Sequence, residues 1–355
     1  MPIILHSNNL SLNLDVHIVA GDWSSHGSKS AGLHCATKGV TCCRCPAPCE
    51  GLPCVGHSYP TLHSGLESWN FDLTLTSSDT RDPKPSEIMR LLEMKCPGEF
   101  SLIQAATSDT FPYAILSHTW TDGQEVTYQD LISGAGNGKS GYDKIKFCGE
   151  QAAKDGLQYF WVDTCCINKS DADELATAIN SMFRWYRNAK KCYVYLADVT
   201  TPGYDTDVQT RQYLWEAAFR ESRWFSRGWT LQELIAPAMV GFFSKEGKRL
   251  GDKQSLETLI QEITGIPIQA LRGNPFSDFN IAERIRWAAR RQTTREEDTV
   301  YCLLGLCEVS MPPLYGEGKE VAHKRLQMTV KGFSSASDEP KDLEGMASLL
   351  CFGLR

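Results

Sequence analysis

Between Ser222 and Pro237 the run SRWFSRGWTLQELIAP sets two indoles, two guanidinium groups and two serine hydroxyls around one carboxylate, Glu233. At helical spacing Trp229, Glu233 and Pro237 fall on one line, which leaves Leu231, Leu234 and Ile235 to face a core. The pattern predicts a carboxylate projecting beside the Trp229 indole in a partly dry cleft. A carboxylate so placed can hold hydroxyl groups and stabilise an oxocarbenium-like centre, as carboxylates do in glycoside cleavage. The plainer reading is an exposed helical glutamate beside a core tryptophan, paired with Arg223 or Arg227.

Two further groups of residues have chemistry-bearing spacing. Cys42-x2-Cys45 and Cys54-x2-His57 match zinc-ligand spacing, though few apolar residues surround them to build a supporting shell. Cys165 and Cys166, with His118 and Asp163, have the residue types of a cysteine hydrolase. Adjacent cysteines after an apolar run are more simply core thiols.

The elements that must position these groups begin at Phe111, where short apolar runs alternate with amphipathic stretches, the pattern of a parallel sheet wrapped by helices. Tyr113 to Leu116, Tyr159 to Val162, Lys191 to Ala197 and Met239 to Phe243 read as four buried strands. Three end abruptly in polar residues: Ser117, His118 and Trp120 after the first, Asp163 after the second, Asp198 after the third. Ligands of open parallel sheets bind outside such strand ends. Asp and Ser are equally at home there as turn and cap residues.

Helices are predicted from Tyr142 to Asp155, with Gly156 as C-cap, and from a capping box at Ser170 and Asp173 to about Asn188. SGAGNGKS, from 133 to 140, is glycine-rich but lacks the first glycine of a phosphate loop and follows no strand, so it reads as a flexible loop. Beyond the fourth strand, Leu250 to Gly265 and Asn280 to Glu308 read as helices. Arg284, Arg286, Arg290, Arg291 and Arg295 would line a solvated, salt-bridged face of the latter. The fold class is therefore α/β: a parallel sheet with flanking helices over 111–245, then a mainly helical extension over 246–332 and a loose tail over 333–355. Residues 1–88, rich in Ser, Gly, Pro, His and Cys and without periodicity, read as a segment of low order.

Composition narrows the function classes. The 355 residues are 42% apolar, enough for a real core, and carry a net charge of −7 with no basic block, which argues against nucleic-acid binding. No stretch approaches the roughly 18 apolar residues of a membrane span. The opening residues lack the basic start and continuous apolar core of a signal peptide. The later of the 14 cysteines sit in apolar runs such as VYCLLGLC, which suits reduced, buried thiols in a cytoplasmic protein.

YAILSHTW at 113–120, GLQYFWVDTCCINK at 156–169, AINSMFRWYRNAKKCYVYLADV at 178–199 and SRWFSRGWTLQELIAP at 222–237 together resemble the fungal heterokaryon-incompatibility (HET) domain. The similarity continues through WAARRQTTREEDTVYCLLGL to about residue 330. Members commonly begin near a Met-Arg-Leu-Leu, here internal at Met89 to Leu92, and larger ones continue into a nucleotide-binding and repeat region. This implies an extension before residue 89 and a truncated end. It also implies a cell-death effector in non-self recognition between fungal individuals, acting through self-association or an incompatibility partner. The order of strands and helices and the W-x-L-x-E-L segment also resemble the Toll/interleukin-1 receptor (TIR) fold, of the flavodoxin-like kind. That resemblance implies cleavage of NAD as a substrate, with no cofactor required. Glu233 would be the catalytic residue, and Ser117, His118, Trp120, Asp163, Arg223, Arg227 and Trp229 would line the pocket. The other reading is a signalling module without catalysis, in which the same residues are structural.

Overall fold

The four apolar runs pair in parallel at the centre of a seven-stranded sheet. A computed structural model describes residues 89–96, 99–105, 111–201 and 208–334. Cys42, Cys45, Cys54 and His57, and the order expected of residues 1–88, lie outside the described residues. The strands are β1 (Met89–Cys96), β2 (Glu99–Ala105), β3 (Tyr113–His118), β4 (Tyr159–Trp161), β5 (Lys191–Tyr195), β6 (Val240–Phe243) and β7 (Arg249–Asp252), in spatial order β2-β1-β4-β3-β5-β6-β7. The helices are α1 (Tyr128–Ser133), α2 (Gly141–Lys154), α3 (Asp163–Cys166), α4 (Ala172–Asn188), α5 (Val208–Glu221), α6 (Thr230–Ile235), α7 (Glu257–Thr264), α8 (Ile268–Leu271), α9 (Ile281–Arg286), α10 (Asp298–Tyr301) and α11 (Lys319–Ser334).

The expected parallel sheet is present only at the centre. β4, β3, β5 and β6 are parallel neighbours, whereas β1 runs antiparallel to both β2 and β4, and β7 antiparallel to β6. For β1–β2 and β6–β7 the physical reason is connection length, because hairpin-length links reverse the chain and cannot make the crossover that parallel pairing needs. Leu250 to Asp252, read from sequence as the start of a helix, therefore belong to the edge strand Arg249–Asp252. The chain winds from β3 outward to β4 on one side and then to β5 and β6 on the other. That reversal puts a topological switch point between β3 and β5.

Side-chain alternation assigns the two faces of the sheet. On one, Phe160 closes on Phe100 and Gly149, and Phe147 of α2 packs its ring 5.1 Å from both Tyr195 and Phe243. On the other, Trp161 packs against Trp185 of α4, Tyr113 donates its hydroxyl to the Trp185 carbonyl, and Phe242 packs against Trp224. Ser117 belongs to this second face and meets α6 there. Local caps differ in detail from the sequence reading. Asp171, rather than Ser170, caps α4 by accepting from the Asp173 and Glu174 amides. SGAGNGKS is a left-handed C-cap at Gly134 followed by a 3-10 turn over Ala135–Gly138.

Residues 280–308 do not form the long helix that was expected. α9 is short, and the chain then extends so that Gln292 bridges Arg227: Gln292 N donates to Ser226 O at 2.6 Å and Gly228 N to Gln292 O at 2.9 Å. Nor is the arginine face fully solvated. Arg284 is 6% exposed and donates to the Leu306 carbonyl, because buried carbonyls left by the broken helix need donors. Among the described residues no helix is long and apolar enough to cross a membrane.

Gly228 makes the bridge possible, since a Cβ there would overlap the Thr293 side chain and crowd Cys302 Sγ. Gly228→Ala is expected to loosen this junction and lower stability by about 1–3 kcal/mol, read by denaturant unfolding.

Candidate functional site

Glu233 reaches its position through a chain of local satisfactions. Ser222 caps the 3-10 turn Arg223–Ser226, accepting from Trp224 N, and both the Ser222 hydroxyl and the Arg223 amide donate to Asp198 at 2.8 Å. Asp198, at the end of β5, therefore anchors the turn and leaves Trp224 directed into the core. The Thr230 hydroxyl donates to the Trp224 carbonyl at 2.5 Å, tying the turn to the start of α6. All six residues of α6 are buried, so its one carboxyl is carried inside by its apolar neighbours.

Within that interior Trp224 Nε1 donates to Ser117 Oγ at 2.8 Å, and Ser117 Oγ donates to Glu233 Oε2. The Tyr186 hydroxyl donates to the Leu116 carbonyl at 2.8 Å and also hydrogen-bonds Glu233. A phenol has one proton to give. Shared between the Leu116 carbonyl and Glu233, that proton favours the carboxylate, as the Ser117 hydroxyl does. Burial, aided by the charge of Asp163, outweighs both of them and Arg291, and pushes the Glu233 carboxyl up to about 8. Burial thus favours the neutral acid at this strand end, where Glu233 is 6% exposed.

A second, wetter cluster lies one residue further along β3. His118 Nε2 stands 3.3 Å from Glu125 Oε2 and Nδ1 stands 3.8 Å from Asp163 Oδ1, ion-pair distances without the alignment of hydrogen bonds. Burial pushes the Glu125 carboxyl up, but His118 and the buried Lys144 ammonium outweigh it and hold the carboxyl at about 2. Trp120 is half exposed. Its indole donates to Asp163 Oδ2 at 3.0 Å, and the Lys169 ammonium lies 3.7 Å over its ring. Trp120, Asp163 and Lys169 form an outer rim, His118 and Glu125 an intermediate layer, and Ser117, Glu233, Trp224 and Tyr186 an inner one.

Ser117, His118, Trp120, Asp163 and Glu233 thus come together at the ends of β3 and β4. Three expected neighbours do not join them. Trp229 hydrogen-bonds Asp298 from the C-terminal segment, and the indole beside Glu233 is that of Trp224. Trp229 keeps helical backbone angles as the residue before α6, but its side chain is taken up by Asp298 of the C-terminal segment. Arg227 donates to Thr294 Oγ1, and Arg223 is exposed with its amide on Asp198, so neither pairs with Glu233. The cation that acts on Glu233 is Arg291.

Tyr186 and Arg291 were absent from the expected site. Tyr186 was assigned to the core stripe of its helix, and the sequence carries no signal that its hydroxyl ends beside Glu233. Cys165 and Cys166 are buried, and the hydrogen bond with Cys166, followed by burial, raises the Cys165 thiol well above its ordinary range, which disfavours a thiolate nucleophile. Among the described residues no group of three or more His, Cys, Asp and Glu side chains could hold a metal ion. A 280 Å³ cavity lined by Arg90, Ile167, Asp171, Glu174 and Trp185, among others, includes none of the Glu233 contacts.

Residues 113–214, which span β3 to the first half of α5, match the family model for Heterokaryon incompatibility protein (HET). The chain carries a HET domain. Over 241 residues, 67% of this chain, it is 55% identical to Vegetative incompatibility protein HET-E-1 of Podospora anserina, of whose length it spans 18%. No solved structure matches the chain significantly. The HET family match ends before α6, so Glu233 and Arg291 lie C-terminal to it.

The neutral state of Glu233 has a measurable consequence. Its folded value near 8 exceeds the ordinary carboxylate value of 4.5, so the native protein binds the extra proton between those limits. This contribution to stability is fully present below 4.5 and is lost as pH rises through 8. Glu233→Gln, whose amide keeps the shape and can accept from Ser117, is expected to fold and to flatten the fall in stability between pH 5 and 8, by on the order of a few kcal/mol, in denaturant unfolding at stepped pH.

Proposed function

We propose that this chain is the effector portion of a vegetative-incompatibility protein that drives cell death in fungal non-self recognition, and that its reaction is hydrolysis of the nicotinamide–ribose bond of NAD. The incompatibility role is supported by the HET match and by the identity to HET-E-1. The observation that carries the chemistry is a carboxyl group held beside a serine hydroxyl at the end of β3, at the switch point where open α/β sheets take their ligands. The W-x-L-x-E-L context of Glu233, similar to that of NAD-cleaving TIR domains, supports the same reading.

The reaction follows from the electrostatics. An acid near 8 is neutral in the empty site, but the nicotinamide ring of NAD is cationic, and its approach favours the carboxylate. The carboxylate then holds the ribose and stabilises the positive charge that grows on its ring as the bond electrons pass to the nicotinamide nitrogen. Neutral nicotinamide leaves, water adds to the ribose carbon, and its proton passes to Glu233. The products are nicotinamide and ADP-ribose. Trp120 and His118 line the way in. Because Glu233 is 6% exposed, the rim must open before turnover, which is consistent with an effector restrained until a partner or self-association triggers it.

One observation favours a second reading: the same burial and complete hydrogen bonding of Glu233 suit a structural acid in a module that signals by association alone. Expression of wild type beside Glu233→Gln in cells separates the two, with NAD and viability followed together. The catalytic reading expects NAD to fall before death in wild type and to stay level in the variant. Death with NAD unchanged, equal in both, would leave the signalling module.

A further inference from the structure

We propose that Arg291 is a positioning residue for Glu233, delivered across the junction with the C-terminal segment to supply the positive charge that lets this buried carboxyl ionise. The inference rests on the reading of Glu233 as the reacting carboxyl, but its physical core can be measured without turnover.

Four observations carry it. Arg291 Nη1 donates to Arg227 O at 2.9 Å and to Thr230 Oγ1 at 2.8 Å, so the guanidinium is seated on the first turn of α6. Thr230 and Glu233 are three residues apart on that helix, hence on one side of it. Arg291 makes no ion pair among the described residues, and its Nη2 is buried without a hydrogen-bond partner. A guanidinium in such a place is costly unless a nearby negative charge compensates it. Finally, the seat is built rather than incidental: Gln292, the next residue, is held by backbone hydrogen bonds to Ser226 and Gly228, and Gly228 lacks the Cβ that would exclude Thr293.

The groups facing the Glu233 carboxyl are Ser117 from β3, Tyr186 from α4, Asp163 from α3 and Arg291. Cys192 of β5 touches its backbone carbonyl rather than its carboxyl, and buried Lys253 sits at the far end of α6 on the Leu234 and Pro237 carbonyls. Asp163 opposes ionisation, Ser117 and Tyr186 help through hydrogen bonds, and Arg291 is the cation in the set. Burial lowers the Arg291 guanidinium to about 10, with Cys302 and Glu233 acting the other way, so the coupling is felt on both sides. Burial and Asp163 keep the empty site neutral. Arg291 keeps the gap small enough for a cationic ligand to close it.

The test is a pH titration of the full chain by infrared spectroscopy, following the protonated-carboxyl band that Glu233→Gln removes. Arg291→Gln keeps donors for Thr230 Oγ1 and Arg227 O but removes the charge. It is expected to raise the midpoint of the band by about one pH unit, a tenfold change in the ionised fraction. Arg291→Lys keeps the charge and is expected to leave the midpoint near that of wild type. A folded Arg291→Gln with an unmoved midpoint overturns the proposal, as does an Arg291→Lys shifted as far as Arg291→Gln. If Arg291→Gln does not fold, Thr230→Val, which removes one seat of Nη1, is expected to shift the midpoint upward by less; no shift there also overturns it. NAD consumption measured on the same proteins keeps the two ideas apart. A shifted midpoint with NAD untouched by wild type sinks the NAD reading and spares the role of Arg291, whereas NAD loss with an unmoved midpoint does the reverse.

Discussion

The hydrogen bond between Ser117 and Glu233 is the contact on which the arrangement of this protein turns. It joins the last turnable position of a central parallel strand to the short helix α6, and it does so inside the core, where an unpaired carboxyl would cost several kcal/mol. Each neighbour exists in relation to it. Trp224 donates to the serine, Tyr186 shares the acid, Asp198 fixes the turn that aims Trp224, and Thr230 locks that turn to the helix. Such a network tolerates little displacement, because each member satisfies a group that no water reaches.

Burial also decides the charge state. Glu125 and Glu233 are both carboxyls at the same end of the sheet, yet their environments drive them apart, one to about 2 and the other to about 8. The difference is the cations within reach: Glu125 has Lys144 and His118 at contact distance, while Glu233 has only hydroxyl donors at contact and Arg291 at a remove. Two carboxyls held in opposite states a short way apart is an arrangement suited to acid–base or electrostatic work.

The segment after β7 completes this interior rather than trailing from it. Arg291, Gln292 and Thr293 dock against Arg227 and Gly228, and Asp298 takes the Trp229 side chain. The HET family match, ending at residue 214, therefore covers the strands that form the floor of the site but not the helix and the arginine that furnish it.

The strand runs YAIL, YFWV, KCYVYLA and MVGFF were legible because a buried parallel strand must be apolar on both faces, and their polar ends marked the rim: Ser117, His118, Trp120 and Asp163 do meet there. Glu233 could be singled out because it is a lone carboxyl in a run of apolar and aromatic residues. The antiparallel edges were not legible, since MRLLEMKC and RLGD pair by the length of their links as much as by their own pattern. Which indole would stand beside Glu233 depended on distant partners: Asp298 takes Trp229, and Ser117 takes Trp224. Sequence alone determined that a lone carboxyl would ride on a largely apolar helix, and placed it in a partly dry cleft or exposed, not in the core. Only the tertiary structure decided that it would be buried and that Trp224, Tyr186 and Arg291 would surround it, because those contacts join segments up to 107 residues apart and arise from packing, which no local spacing encodes.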